Sequence, residues 1–283
     1  MKLFDRQYRL EIGRAGAQGF EIGATSAWRP VATHVSFVVN KADTETPNTA
    51  KISLWNLGPE QLAALKTSDC TVALRAGYGA HMPLLFVGCV TYMEITADGA
   101  DRKTTIEAVD GRAELRDGFV SLSYSGAVST KKVLEDIAAA MGVAVAFSHN
   151  AAFADLPKFV FVGAARVALD KACSAGSLQW SIQNGILQIS VRGCAMTREV
   201  YVLSPDSGLV GIPKQFVYGK SDKGAENQSG YEVEYLMNGA IGVGDYVRLE
   251  SNEATGYHRV RAVEICGDNI EGDWLCAAKL VET

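Results

Sequence analysis

The sequence predicts a mainly β protein in which two small antiparallel β-barrel domains flank a central α+β module. Apolar and polar residues alternate along much of residues 1–126 and 231–283, which is typical of strands with one buried face. From residue 128 onward, apolar residues recur instead at helical spacing. The 28 glycines in 283 residues exceed the usual share of roughly 7% and indicate many turns. We therefore predict a first β domain over 1–126, an α+β module with two helices over 127–198, and a linker with a second β domain over 199–283.

The first region consists of predicted strands and tight turns. Residues 35–39 and 50–54 alternate in polarity and predict a hairpin with a long loop. Pro59 suits the first position of a helix, and the leucines after it predict a short helix over 59–66. Four more strands are predicted, over 70–77, 84–96, 104–109 and 120–124. Asp98 and Gly99 predict a hairpin turn between the second and the third of these strands.

The central region is predicted to contain two helices and a hairpin. A helix over 129–142 has Ser129 or Thr130 as its N-cap and ends at Gly142. A second helix is predicted over 163–175, and strands over 143–148 and 159–162. Alternating residues predict strands over 178–182 and 187–191, and Trp180 is predicted to be a core residue of the first. Between these strands, Asn184 and Gly185 predict a two-residue turn of type I′.

The last region returns to strands after an irregular stretch. Residues 203–228 show little periodicity and are predicted to be a linker or loop. Strands are then predicted over 231–237, 246–250, 257–265 and 274–281. Residues 231–283 carry ten carboxylates against four Lys and Arg residues, a net charge of −6, which disfavours a tight complex with nucleic acid.

Composition excludes several classes of protein. Lysine and arginine number 27 against 32 aspartate and glutamate residues, whereas a dedicated duplex-DNA binder carries a strong positive excess. Apolar runs reach only about ten residues, too few for a membrane-spanning helix, so no membrane anchor is predicted. Charged residues near the N-terminus argue against a secretory signal. The six cysteines show no C-x-x-C spacing and are predicted to be reduced, and the sequon at Asn227 is interpreted as chance.

No catalytic, cofactor-binding or metal-binding residue is predicted. The sequence lacks G-x-S-x-G, H-E-x-x-H, a phosphate-binding loop and a dinucleotide fingerprint, and its four histidines are scattered. The glycines Gly13, Gly16 and Gly19 have the wrong spacing for a phosphate cradle and are interpreted as turn residues.

Two groups of residues are candidates for a partner interface. Trp55 points opposite to the apolar side of its strand, so it is either a second-layer core residue or an exposed anchor for a partner. Lys51 and Ser53 share its face. Glu232 and Glu234 share one face of a later strand, where they form either a solvated strand edge or, less simply, an acid/base pair.

Several phrases, in their order along the chain, resemble the hub proteins of bacteriophage tail baseplates. Residues 49–60, 76–78 and 85–88 are similar to the opening tube domain of that family. Residues 129–142 and 178–185 resemble its middle module. Residues 208–213, 236–238 and 243–249 are similar to the segment of the family that leads into its second tube domain.

The resemblance implies a structural protein of the virion with no enzymatic activity and no cofactor. In such a hub, three chains form a ring of six tube-like domains that adapts the hexameric tail tube to a threefold spike. The implied partners are the tail tube protein, the spike protein and other baseplate proteins. DNA passes through the channel without specific binding, which an acidic lining favours. Assembly is expected in the host bacterial cytoplasm, with the spike and any cell-wall hydrolase as separate proteins.

Two other functions remain as alternatives. The first is a cell-wall hydrolase that uses the central module, although no nucleophile, base or metal set is positioned for it. The second is a module that binds single-stranded nucleic acid, which needs a basic stripe that this sequence lacks.

Overall fold

The structure is a computed structural model that describes residues 5–14, 19–23, 33–111, 115, 117–218 and 228–282. Gly16 and Asn227, two residues singled out in the sequence, lie outside these ranges. None of the described helices is long and apolar enough to cross a membrane.

In its described residues, the first β region contains seven antiparallel strands and the short helix that follows Gly58. Its strands follow the order β3-β4-β7-β6-β5-β1-β2. The hairpin of β3 and β4, the short helix and the β6–β7 hairpin confirm the predictions for these segments. The bounds are β1 (Arg6–Gly13), β2 (Phe20–Gly23), β3 (Val35–Ala42), β4 (Thr49–Trp55), α1 (Pro59–Leu65), β5 (Thr71–Tyr78), β6 (Leu84–Asp98) and β7 (Asp101–Val109).

The central module packs two helices against small sheets. Its elements are β8 (Phe119–Ser123), β9 (Val128–Ser129), α2 (Thr130–Met141), β10 (Ala144–Phe147), β11 (Asp155–Leu156), β12 (Val160–Ala164), α3 (Ala165–Ser174), β13 (Leu178–Gln183) and β14 (Ile186–Val191). The Ser129 side chain caps α2 by accepting from the Lys131 N–H, and Gly142 ends this helix in the left-handed region at φ 73°. Asn184 and Gly185 have φ of 53° and 77°, as the predicted I′ turn requires.

Strand β8 belongs to the core of the central module. It pairs with β12, and Val120 packs against the helices rather than against the first seven strands. The predicted boundary at residue 126 puts this strand in the first β domain, because its alternation resembles that of the strands before it. Local periodicity does not indicate which core a strand joins, since the pairing partner lies about forty residues further along the chain.

The described residues of the last region add six strands and a 3-10 helix. These elements are β15 (Val200–Leu203), the 3-10 helix Pro205–Ser207, β16 (Leu209–Tyr218), β17 (Gln228–Leu236), β18 (Tyr246–Glu250), β19 (Thr255–Asp268) and β20 (Trp274–Glu282). The four later strands agree with the prediction. Strand β16 differs from the irregular linker predicted there, because a bulge between Val210 and Lys214, with Gly211 at φ 69°, interrupts the alternation.

The two β regions share one sheet. Strand β3 pairs with β19 over seven residue pairs, from Ser36 opposite Asp268 to Ala42 opposite Ala262, and this completes a 13-stranded sheet. Phe37 and Trp274 meet across the junction with ring centroids 5.6 Å apart, inside one hydrophobic core. The central module has a separate core built around α2 and α3. A mainly β fold with an α+β insertion is therefore confirmed, whereas the number of barrels and the three domain boundaries remain predictions.

Candidate interaction surface

One side of the long sheet is covered by solvent-facing side chains and is called here the polar face. It runs across β6, β7, β4, β3, β19, β20, β17 and β16, on the side opposite to the hydrophobic core. The ladder register places Glu107 beside Lys51, and Val38 beside Cys266. Further along, Ala277 lies beside Glu234. The two groups of residues proposed from sequence therefore lie on the same face of one sheet.

Acidic side chains predominate on the polar face. The carboxylates in register on it outnumber the lysines two to one. The carboxylates are Glu94, Asp98, Asp101, Glu107, Glu232, Glu234, Glu264 and Asp268, and the lysines are Lys51, Lys103, Lys214 and Lys279. Only some of these charges pair directly, as Lys214 and Glu234 do at 3.5 Å. The face therefore presents a negative field to solvent.

Trp55 lies on the polar face and is half-buried by side chains of its own chain. His34 stacks on the indole with ring centroids 3.8 Å apart, and the Lys103 ammonium lies 4.9 Å from the ring centre. The indole N–H donates to Asp98 Oδ2 at 2.8 Å. These contacts hold the ring in place and leave part of it accessible, so the choice between a second-layer residue and a partner anchor remains a prediction.

The other candidate residues differ in accessibility. Ser53 is 7% exposed and its hydroxyl lies 3.2 Å from Thr105 Oγ1, so this side chain is committed within the sheet. Lys51, Glu232 and Glu234 are exposed. Whether any of them contacts a partner remains a prediction.

His34 also links the two β regions through Asp268. The His34 Nε2 atom lies 3.1 Å from both carboxylate oxygens of Asp268. Burial raises the pKa of Asp268, but the N–H groups of Ile270 and Glu271 and the His34 side chain together bring it below its usual value. Asp268 is therefore ionised at neutral pH and orders the end of β19.

A buried polar cluster joins the central module to the sheet, and no sequence pattern identified it. The Asn48 amide donates to Ile182 O at 2.8 Å and to Gln183 Oε1 at 3.0 Å, and its Oδ1 accepts from the Ala42 N–H at 3.0 Å. Asp110 accepts from Asn48 Nδ2 at 3.3 Å. It also accepts the N–H groups of the I′ turn, from Asn184 at 2.6 Å and from Gly185 at 2.9 Å.

Two charged groups in this junction have shifted pKa values. Burial raises the pKa of Asp110, and the N–H donors of Gly185 and Asn184, the Asn48 amide and Lys41 oppose that shift. Burial lowers the pKa of Lys41 to about 8, against the attraction of Asp110 and Asp245. The Lys41 ammonium donates to Leu85 O at 3.1 Å and to Asn184 Oδ1 at 3.2 Å. The turn recognised in the sequence thus docks on the sheet together with the end of β13.

The described residues bring together no group of three metal-ligating side chains.

The fold is that of phage tail proteins. A tail protein from Neisseria meningitidis MC58 matches with a TM-score of 0.65 at 10% identity, covering 97% of this chain and 96% of that one. The 43 kDa tail protein of prophage MuSo2 from Shewanella oneidensis matches with a TM-score of 0.64 at 9% identity, covering 98% and 97%. A type VI secretion component of E. coli, described as structurally similar to the T4 tail proteins gp27 and gp5, matches at 0.59 and 9% identity, covering 90% and 76%.

The sequence assigns the family. Residues 49–254 match the family described as Baseplate hub gp41, which is more than half of the chain. The chain therefore belongs to this family of baseplate hub proteins, and it is a structural component of the virion tail, as the resemblance in the sequence implied. No curated protein matches the sequence.

Proposed function

We propose that three copies of this chain form a closed ring at the centre of the baseplate, with the polar face lining a channel for DNA. In this proposal the ring adapts the sixfold tail tube to the threefold spike. Its partners are the tail tube protein, the spike protein and other baseplate proteins, and it is assembled in the host cytoplasm.

The composition of the polar face is the observation that carries the proposal. It contains four strands from the first β region (β6, β7, β4, β3) and four from the last (β19, β20, β17, β16). Each chain thus supplies two four-stranded halves to one surface. Three copies supply six such halves, which matches the sixfold symmetry expected of the tube.

The ends of the polar face support a contact between copies. In the described part of the chain, the outer edge of β16 and the edge of β6 beyond Val90 have no strand partner. Both edges carry exposed apolar side chains, with Ile212 at 66% on β16 and Tyr92 at 51% on β6. Unpaired edges with apolar residues are a liability on a monomer. A head-to-tail contact between the β16 edge of one copy and the β6 edge of the next covers both and closes after three steps.

The charge of the polar face suits a passage for DNA. The carboxylates repel the phosphate backbone, so the duplex slides past without forming stable contacts. A structural channel of this kind requires no catalytic or metal site.

The proposal is tested by the mass of the purified protein in light scattering over a range of concentration and salt. We expect a species of three times 30.3 kDa. The variant Ile212→Asp should reduce the trimer fraction, whereas Ile270→Asp, at a similarly exposed isoleucine in the loop before β20, should not. A protein that stays monomeric, alone and when mixed with its tube and spike proteins, contradicts the ring.

A further inference from the structure

The junction between the central module and the sheet brings a lysine amine onto a side-chain amide. Lys41 lies on β3, and Asn184 is the first residue of the I′ turn between β13 and β14. The Lys41 Nζ atom lies 3.2 Å from Asn184 Oδ1, across 143 positions of the sequence. The amide carbon is one bond beyond that oxygen, so the amine lies close to the distance from which a nucleophile attacks.

The amine at this position can act as a nucleophile. Lys41 is half-buried, and among the described residues no carboxylate lies within ion-pair distance of its ammonium. Burial lowers the pKa of Lys41 to about 8, so about a tenth of the side chains are neutral at pH 7. Leu85 O accepts a hydrogen bond from Nζ at 3.1 Å and keeps the amine beside the turn. A neutral lysine amine is a nucleophile towards carbonyl carbon.

Asp110 fixes the turn that carries the amide. Its Oδ2 accepts the Asn184 N–H at 2.6 Å, and its Oδ1 accepts the Gly185 N–H at 2.9 Å. In a flexible Asn-Gly pair the glycine nitrogen attacks the asparagine side chain and closes a succinimide. Here that nitrogen is directed at Asp110, which turns it away from the Asn184 amide. The amine of Lys41 is then the nucleophile that this geometry leaves beside the amide.

We propose that Lys41 and Asn184 form an intramolecular isopeptide bond, which joins the central module covalently to the sheet. Lys41 Nζ attacks Asn184 Cγ, so that the Nζ–Cγ bond forms and the Cγ–Nδ2 bond breaks. One proton passes from Nζ to the departing nitrogen, which leaves as ammonia. The reaction consumes no oxidant, cofactor or second protein, and it does not depend on formation of the ring.

The bond links two parts of the chain that have separate cores. Strand β3 belongs to the core of the long sheet, whereas the turn belongs to the central module. Apart from the backbone, the contacts described at this junction are hydrogen bonds, which break individually. A cross-link between positions 143 residues apart restricts the unfolded chain, so it keeps the module and the sheet together when those hydrogen bonds open.

The test follows the full chain, purified at pH 6 and then incubated at pH 9 until its intact mass no longer changes. We expect the mass to fall by one ammonia. Trypsin should then release, from the denatured chain, residues 15–51 joined to residues 172–192, without cleavage after Lys41. A succinimide at Asn184 also loses ammonia, so the joined peptides distinguish the two products.

The pH dependence of the rate identifies the attacking group. Because the neutral amine reacts, the initial rate should rise about tenfold between pH 6 and pH 7, and less than about twofold between pH 9 and pH 10.

Variants separate the two reacting side chains from their surroundings. Lys41→Arg keeps the charge without the amine, and Asn184→Gly keeps the positive φ without the amide. Each should abolish the joined peptides, whereas Lys51→Arg, at an exposed lysine on β4, should leave their yield unchanged. Asp110→Ala should slow their formation about tenfold or more, and Asp110→Asn, which retains one acceptor oxygen, should restore part of the rate.

Three results overturn the proposal. One is a native chain that yields no joined peptides once its mass is constant at pH 9. Another is joined peptides that persist in Lys41→Arg or Asn184→Gly, because the bond then lies elsewhere. The third is a rate that is the same at pH 6 and pH 7. The first and third results come from the native chain, so they decide the matter even if a variant fails to fold. None of these measurements depends on oligomeric state, so failure of the ring and failure of this bond can be distinguished.

Discussion

Replacement of Asn48 by alanine should weaken the attachment of the central module to the sheet and lower the free energy of unfolding. The side chain is 3% exposed and forms four hydrogen bonds, to Ala42, Asp110, Ile182 and Gln183. A net loss of about 1 kcal/mol for each of the three shorter bonds, with the Ala42 N–H left unpaired, gives an expected destabilisation of about 3 to 4 kcal/mol. Urea unfolding measures this free energy, and Asn40→Ala, at an exposed asparagine on the neighbouring strand β3, should cost less than about 0.5 kcal/mol.

The pH dependence of that loss tests its cause. The pKa of Asp110 is raised in the folded protein, so its contribution to stability is greatest at low pH and falls as pH rises through the folded pKa. Loss of the Asn48 donor raises that pKa further. The difference between Asn48→Ala and the native chain should therefore be larger at pH 7 than at pH 4. A loss below about 1 kcal/mol, or one that is the same at both pH values, refutes the assignment of this cluster as the junction.

Three further predictions concern the same sheet. The pKa of Lys41 falls to about 8 on folding, so this residue contributes stability that increases as pH rises from 8 to 10, and the stability of the native chain relative to Lys41→Met should increase over that range in urea unfolding. In a low-salt filter-binding assay, the native protein should leave DNA unbound, whereas Glu232→Lys/Glu234→Lys should bind DNA and retain it on the filter. If neither protein retains DNA, the result contradicts the acidic lining. Gly230→Ala should lower the melting temperature markedly, since its Cβ would lie 1.9 Å from the Leu280 carbonyl oxygen, and an unchanged temperature shows that β17 and β20 can separate there.

Local patterns predicted most of the elements but not how they assemble. The I′ turn at Asn184 and the capped helix after Ser129 follow from residue preferences that act within a few positions. Strand β16 was missed because its bulge and its exposed apolar residues disrupt the period on which strand prediction depends. Such a strand is recognisable only from the partner that pairs with it.

The interaction surface was only partly predictable for a similar reason. Alternation indicates that Lys51 and Trp55 share a face, and that Glu232 and Glu234 share another. It does not indicate that both faces are one, because that depends on pairing between β3 and β19. The junction at Asp110 depends on the turn at Asn184 and Gly185, which lies more than seventy residues away in sequence. Long-range pairing is set by the packing of the whole core rather than by neighbouring residues.

The pairing of β3 with β19 also sets the order in which the chain can fold. Residues 35–42 leave the ribosome long before their partner strand β19, which spans Thr255–Asp268. During synthesis the β3 edge therefore stays open while the central module can already fold around its own core. Closing a loop of this length makes the last step slow, and an open β3 edge is a template for pairing with the wrong chain. Nascent chains translated side by side from one message are thus most exposed to misassembly in the interval before β19 emerges.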